Sequence, residues 1–243
     1  MAGLVAHPFA AAQDVLRFYR DATASLPDEL SVFAGLLHAP DGSGTKLAAL
    51  VACHAGDLLS GGRAVAALKS HGSPVMDQIG PMPYAAVNMM LDGASPRGAL
   101  NYWKSNFLSA LPDEAIETLI DRFAACPSPM SAILLEHFHG AATRVGPTET
   151  AFPHRRPGYN LLVVGVWTDP TTNSANIGWV RDTYGAMTPH FGAGRYVNYL
   201  NADEITERGS VEAAFGPNAA RLRQIKRQYD PDNVFHVNQN ITP

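Results

Sequence analysis

The sequence predicts an α+β fold: an antiparallel sheet with helices packed mainly on one face, followed by a C-terminal helical tail. Three observations carry this. Apolar runs of strand length alternate with runs of helical periodicity. Two of the strand-like runs are joined by a turn short enough for a β-hairpin. The 243 residues are 46% hydrophobic and 16% charged, enough to bury a sizeable core. Hairpins with intervening helices leave one sheet face for the helices to cover.

Leu4 to Phe9 reads as a short strand and Ala11 to Ser25 as a helix, with Val15, Leu16, Phe18 and Tyr19 as its apolar stripe. Glu29 to His38 and Lys46 to Cys53 form the hairpin, separated by the turn residues Pro40-Asp-Gly-Ser-Gly44. Asp57 to Ser70 reads as a helix, and Pro74 to Pro83 as an extended, proline-punctuated stretch. Pro112 to Cys126 is the clearest helix. Proline stands near its start, Asp113 and Glu114 in its first turn, and Ile116, Leu119, Ile120 and Phe123 on one side. Two strands follow, Met130 to His139 and Tyr159 to Trp167, with an exposed loop from Val145 to Gly158 between them. Asn176 to Thr188 reads as a helix, Arg195 to Leu200 as a last strand, and Val211 to Gln228 as one or two closing helices.

Charge and composition exclude several classes. A net charge of −4, with Lys and Arg scattered, leaves no electrostatic footprint for nucleic acid. No apolar run approaches the roughly 18 residues of a membrane span, so no membrane partner is expected. The N-terminus lacks a basic segment followed by an apolar one, which gives no signal peptide. Cys53 and Cys126 fit two buried thiols in a reducing compartment, and the expected location is cytoplasmic.

Generic motifs add little. The chain has no G-x-G-x-x-G, Walker, H-E-x-x-H or C-x-x-C pattern, and no serine in a G-x-S-x-G context. Ser60-Gly-Gly62 lies inside a helical pattern and lacks the lysine of a phosphate loop. His137 and His139 share one face of a strand and, with His154, form a possible zinc set; the alternative is hydrogen-bonded histidines beside a cleft.

The C-terminal end is more specific. Tyr196-Val-Asn-Tyr199, Ala213-Ala-Phe-Gly-Pro-Asn218, Arg221-Leu-Arg-Gln-Ile-Lys226 and Tyr229-Asp-Pro-Asp-Asn-Val-Phe235 occur in order, and Val237-Asn-Gln-Asn-Ile241 closes the chain. This ordered set resembles the terminal segment of the berberine bridge enzyme family of FAD-linked oxidases. The resemblance extends upstream through Leu135-Glu-His-Phe-His-Gly140, Ala151-Phe-Pro-His-Arg155, Tyr159-Asn160 and Trp167, and through Gly80-Pro-Met-Pro-Tyr84 and Asn101-Tyr-Trp-Lys104. It implies a substrate-binding domain over residues 1–194 and a berberine-bridge-type segment over 195–243.

The resemblance also implies a function. The family passes a hydride from substrate to flavin, with most of the FAD held by an N-terminal domain that carries glycine-rich pyrophosphate loops. No such loops are visible here, so FAD is expected in the complete enzyme, held with an FAD-binding domain supplied in cis or in trans. Removing a hydride from an alcohol carbon requires a base for the accompanying proton. Tyr199 matches the catalytic tyrosine of several members. A phenol near pKa 10 needs a positive neighbour, the flavin or a proton relay to act so. Glu136, where some members carry a tyrosine, is the second catalytic candidate, able to orient substrate or share a proton with Tyr199; a salt bridge at the core edge is its alternative. Tyr196 and Asn198 are the candidate cofactor contacts, and Asn160 and His137 the candidate substrate contacts. Asn160 matches the position where berberine bridge enzyme carries a glutamate base, and an amide cannot take that proton.

Asn198 and Tyr199 point to opposite faces of an ideal strand, so a bulge or a strand end is needed if both are to reach one site. Three functions stay open from the residues: the substrate-binding part of an FAD-dependent oxidase acting on a small alcohol-type molecule, a stand-alone α+β ligand-binding or interaction protein, and the zinc site. An uncovered flavin-facing surface would be apolar and would favour self-association into a homo-oligomer.

Overall fold

The computed structural model describes residues 1–94, 96–205 and 209–243. Strand β1 (Ala2–Pro8) runs into helix α1 (Ala12–Thr23), then the hairpin β2 (Leu30–His38) and β3 (Lys46–His54). Two short helices follow, α2 (Leu58–Ala64) and α3 (Ala66–Ser70), then the two-residue strand β4 (Met76–Asp77) and helix α4 (Tyr84–Met89). Next come β5 (Leu100–Leu108), α5 (Asp113–Ala124), β6 (Ala132–Phe138), α6 (Ala141–Arg144), β7 (Gly158–Trp167) and α7 (Asn173–Met187). The tail carries α8 (Ala202–Ile205), α9 (Ser210–Phe215) and α10 (Ala219–Tyr229).

The strands form one antiparallel sheet in the order β4-β1-β3-β2-β6-β7-β5. Period-2 alternation sorts their side chains. Val32, Ala34 and Leu36 of β2, Ile133 and Leu135 of β6, and Leu161 and Val163 of β7 meet the helices. Helix α1 contributes Val15, Leu16 and Tyr19, α5 contributes Ile116, Leu119 and Phe123, and α7 contributes Trp179, Val180 and Met187. Each such large side chain, fully buried, adds roughly 1.5–3 kcal/mol. The Tyr19 hydroxyl, with no exposed surface, donates to Leu135 O at 2.8 Å and ties α1 to β6. Helix α7 reaches the sheet over Gly165, where an added Cβ would meet Val180 Cγ2 at 2.8 Å and Tyr102 O at 2.9 Å.

The other sheet face carries a smaller apolar cluster, Leu162, Val164 and Val166 with Trp103, Leu134 and Tyr199 packed on it. No helix among the described residues is long and apolar enough to cross a membrane.

Several elements differ from the sequence expectation. Leu100–Leu108 is an additional strand at the sheet edge, paired along its length with β7. The predicted last strand, Arg195 to Leu200, is instead a 3-10 turn over Val197–Tyr199. It closes on local bonds, Tyr199 N–H to Tyr196 O at 3.0 Å and Leu200 N–H to Val197 O at 3.4 Å, rather than on a neighbouring strand. The stretch Asp57 to Ser70 also divides at Val65, after an N-cap in which Asp57 accepts from the Ser60 amide.

Candidate active site

On the face away from the packed helices, four residues make a row across four adjacent strands: Phe33 of β2 pairs with Glu136 of β6, Glu136 with Asn160 of β7, and Asn160 with Phe107 of β5. Directly opposed residues in antiparallel strands bring their side chains together. The row therefore sets a carboxylate and an amide between two aromatic rings.

This row is the floor of a cleft of about 620 Å³. One wall is the loop after α6, with Phe152, Pro153 and Arg155. The tail supplies Tyr196, Asn198, Tyr199, Ala214 and Phe215. The C-terminal motifs hold these walls. Asn218 donates to Pro147 O at 2.8 Å and Thr150 O at 2.9 Å, and His154 Nε2 donates to Ala214 O at 2.9 Å. Gly194, at φ +93, lies so close to His154 that a Cβ there would stand 2.0 Å from the ring, so only glycine lets the chain pass. Farther on, Asp230 closes the end of α10 by accepting from the amides of Val234 and Phe235 at 2.7 and 3.1 Å, and Asn233 takes the left-handed φ of +52 that Asn tolerates.

Three predicted residues meet in one hydrogen-bonded chain. Tyr199 donates its phenolic proton to Glu136 Oε1 at 3.0 Å, and Asn160 Nδ2 donates to Glu136 Oε2 at 2.7 Å. An ionised carboxylate only accepts, which fixes the orientation of the amide. The Tyr199 phenol is held well above its ordinary pKa, first by burial and then by the Glu136 charge. It is a proton donor in the resting protein.

The 3-10 turn resolves the facing conflict between the tail residues. At three residues per turn, Tyr196 and Tyr199 share one side, and their rings meet edge to face with centroids 5.0 Å apart. Asn198 is exposed and donates to the Tyr196 hydroxyl at 3.0 Å, so this pair stands at the rim of the cleft.

His137 borders the cleft, but its ring packs on Tyr159, a residue of the helix-covered face, and stacks on His139 at 4.6 Å. Burial and its neighbour His139 bring its pKa down to about 4. His154 lies instead against Phe107, on the cleft side. The three histidines are thus parted by the sheet, and no group of three or more His, Cys, Asp or Glu among the described residues is placed to hold a metal. The cleft residues Phe33, Phe107, Phe152, Arg155 and Phe215 were not singled out from the sequence. Phe152 and Arg155 lie in the Ala151–Arg155 motif and Phe215 in the Ala213–Asn218 motif, whereas Phe33 and Phe107 become visible only through strand register.

Residues 195–242 match the family model for berberine and berberine-like proteins. An FAD-linked oxidoreductase of Dictyostelium discoideum is 27% identical over 99% of this chain and 51% of its own length. An uncharacterized FAD-linked oxidoreductase of Bacillus subtilis is 30% identical over 79% of this chain and 44% of its own. The chain is berberine bridge enzyme-like, of the FAD-linked oxidases. Its fold agrees with the structure of berberine bridge enzyme from Eschscholzia californica, at a TM-score of 0.81 and 19% identity, covering 100% of this chain and 54% of that one. The berberine bridge enzyme-like chain therefore spans about half the length of the relatives it matches.

Its residues fit one part of an FAD and not another. A cleft floored and walled by Phe33, Phe107, Phe152 and Phe215 suits a flat redox ring and a small substrate beside it. The pyrophosphate needs backbone amides or several cations, and Arg155 is the one cationic side chain lining the cleft among the described residues. All three of its nitrogens are engaged locally, with Phe152 O, Ala142 O and Thr150 Oγ1.

Proposed function

We propose that this chain is the substrate-binding portion of an FAD-dependent oxidase acting on a small alcohol-type or related molecule, in which Tyr199 and Glu136 work as one proton relay. The observation that carries this reading is the chain Tyr199–Glu136–Asn160 on the floor of an aromatic cleft. Bound FAD would supply the acceptor for the hydride that leaves the substrate carbon.

The residues of this chain would manage the accompanying proton. With its own pKa raised, Tyr199 is a poor base alone. It takes the substrate hydroxyl proton only as it passes its phenolic proton to Glu136 Oε1. The substrate O–H and the Tyr199 O–H break, a new Tyr199 O–H and a Glu136 O–H form, and the proton rests on the carboxyl group. Asn160 holds the other carboxylate oxygen, so that Oε1 keeps facing the phenol. An amide at this position leaves the proton to Glu136, one strand away.

Tyr196 and Asn198, at the rim, are the residues we assign to the flavin, and Asn160 borders the space for substrate, whereas the His137 ring is turned to Tyr159 on the helix-covered face. Residues 1–194 would form the substrate domain and 195–243 the berberine-bridge-type segment, a division supported by the family model starting at residue 195. An FAD-binding domain, in cis or in trans, would complete the site.

The test is flavin reduction in the complete enzyme carrying Glu136→Gln. We expect full flavin content and a reduction rate lower by about two orders of magnitude or more, the scale of a lost general base. A rate equal to that of the unaltered enzyme would refute the relay.

A further inference from the structure

The segment that carries Tyr199 is closed at its ends by a buried ion cluster. Arg195 and Glu204 stand nine positions apart, and Arg195 Nη1 lies 2.7 Å from Glu204 Oε1. Lys104 Nζ, from the edge strand β5, lies 3.2 Å from the same oxygen. The Glu204 side chain is 2% exposed and that of Lys104 10%. The second carboxylate oxygen accepts from the Asn201 amide at 3.3 Å, and Asn201 Nδ2 donates to Trp103 O, again on β5, at 2.5 Å. Asp203 extends the cluster to Arg181, 3.1 Å away, and to the Tyr102 hydroxyl.

Between the two bracketing residues sits the 3-10 turn of Tyr196 and Tyr199. Among the described residues no strand ladder anchors that turn, and the amides of Tyr199 and Leu200 bond within it. Its rings rest on Trp103 and Phe152, and polar ties at Arg195, Asn201 and Glu204 fix the segment on either side of it. A carboxylate enclosed between two cations is compensated where it is; neutralising it removes the closest counter-charge of both Arg195 and Lys104 and leaves Lys104 with Asp203 Oδ1 at 3.9 Å. The segment would then shift, and a phenol held by a 3.0 Å bond is sensitive to such a shift.

We propose that Glu204 is a positioning residue: with Arg195 and Lys104 it fixes segment 195–204 against the edge of the sheet so that the Tyr199 phenol meets Glu136. The inference rests on reading Tyr199 and Glu136 as the relay, but the position of the phenol is measurable without turnover.

The experiment uses the full-length, flavin-loaded protein labelled with fluorotyrosine, with the Tyr199 resonance assigned by its loss in Tyr199→Phe. Glu204→Gln keeps the size and shape of the side chain. Its Tyr199 resonance is expected to move toward the position it takes in Glu136→Gln, and flavin reduction to slow about tenfold or more at unchanged flavin content. Arg195→Lys, which keeps the charge, is expected to retain most of the wild-type signal. If Glu204→Gln does not fold, Lys104→Met, which keeps the length of the stem, is read in the same way. A Tyr199 resonance that stays in place while only the melting temperature falls would make the cluster purely structural and overturn the proposal. The two readings separate cleanly. Should Tyr199→Phe leave reduction unchanged while the resonance still moves in Glu204→Gln, the relay fails and the positioning of the phenol stands.

Discussion

The Tyr199 phenol and the Glu136 carboxylate, 63 positions apart in sequence, meet at 3.0 Å, and they join two different parts of the chain. Glu136 is fixed by the register of β6 against β2 and β7, whereas Tyr199 arrives on a 3-10 turn from the tail. The pair ties the tail to the sheet across the floor of the cleft.

Replacing the acid side of this pair should be visible in the phenol. Glu136→Gln removes the nearby charge and leaves the burial, so Tyr199 should titrate lower than in the unaltered protein and still above 10. Ultraviolet difference titration, with Tyr199→Phe used to identify the group, checks this. A titration curve indistinguishable from wild type would mean that the charge does not reach the phenol.

His137 links pH to stability. Its folded pKa is near 4 against an ordinary 6.5. As the pH falls the unfolded chain takes the proton first, so stability present above pH 6.5 is lost progressively down to about pH 4. The ring is partly exposed, which limits the effect to roughly 1 kcal/mol. His137→Phe should flatten that part of the urea-denaturation pH profile. A slope that persists in the variant would assign it to other groups.

Gly165 sets how closely α7 approaches the sheet. A methyl group there would meet Val180 Cγ2 and Tyr102 O inside contact distance. Gly165→Ala should cost about 1–3 kcal/mol by chemical denaturation, the usual range for overpacking. A variant as stable as the parent would show that α7 can move away without loss.

The parts of the fold legible in the sequence were those whose burial repeats at a regular period. Val15, Leu16 and Tyr19 of α1, and Ile116, Leu119 and Phe123 of α5, all face the core as their spacing requires. The hairpin is read correctly because its turn residues separate two apolar runs, and His38 pairs with Lys46 across it. Strand β5 escaped because Asn101, Lys104, Ser105 and Asn106 break the apolar pattern. At a sheet edge these polar groups find partners outside the ladder, Lys104 in Glu204 and Asn106 Nδ2 in the Tyr184 hydroxyl at 3.0 Å. The Tyr196-Val-Asn-Tyr199 stretch has strand composition, but two tyrosines three apart also fit a 3-10 turn, and tertiary contacts decide between them.

The residues of the candidate site were legible one at a time and not as an arrangement. Tyr199, Glu136 and Asn160 could each be singled out by resemblance to a family. That Glu136 and Asn160 lie side by side depends on the register of β6 and β7, which no local pattern encodes. The phenylalanines around them looked like ordinary core residues, and the face they occupy is set by the pleat.

The most direct measurement is the rate of flavin reduction in the complete enzyme with Tyr199→Phe, mixed anaerobically with an oxidisable alcohol found by screening. The relay predicts unchanged flavin content and a rate lower by about two to three orders of magnitude. Reduction at the wild-type rate in the flavin-loaded variant would contradict it.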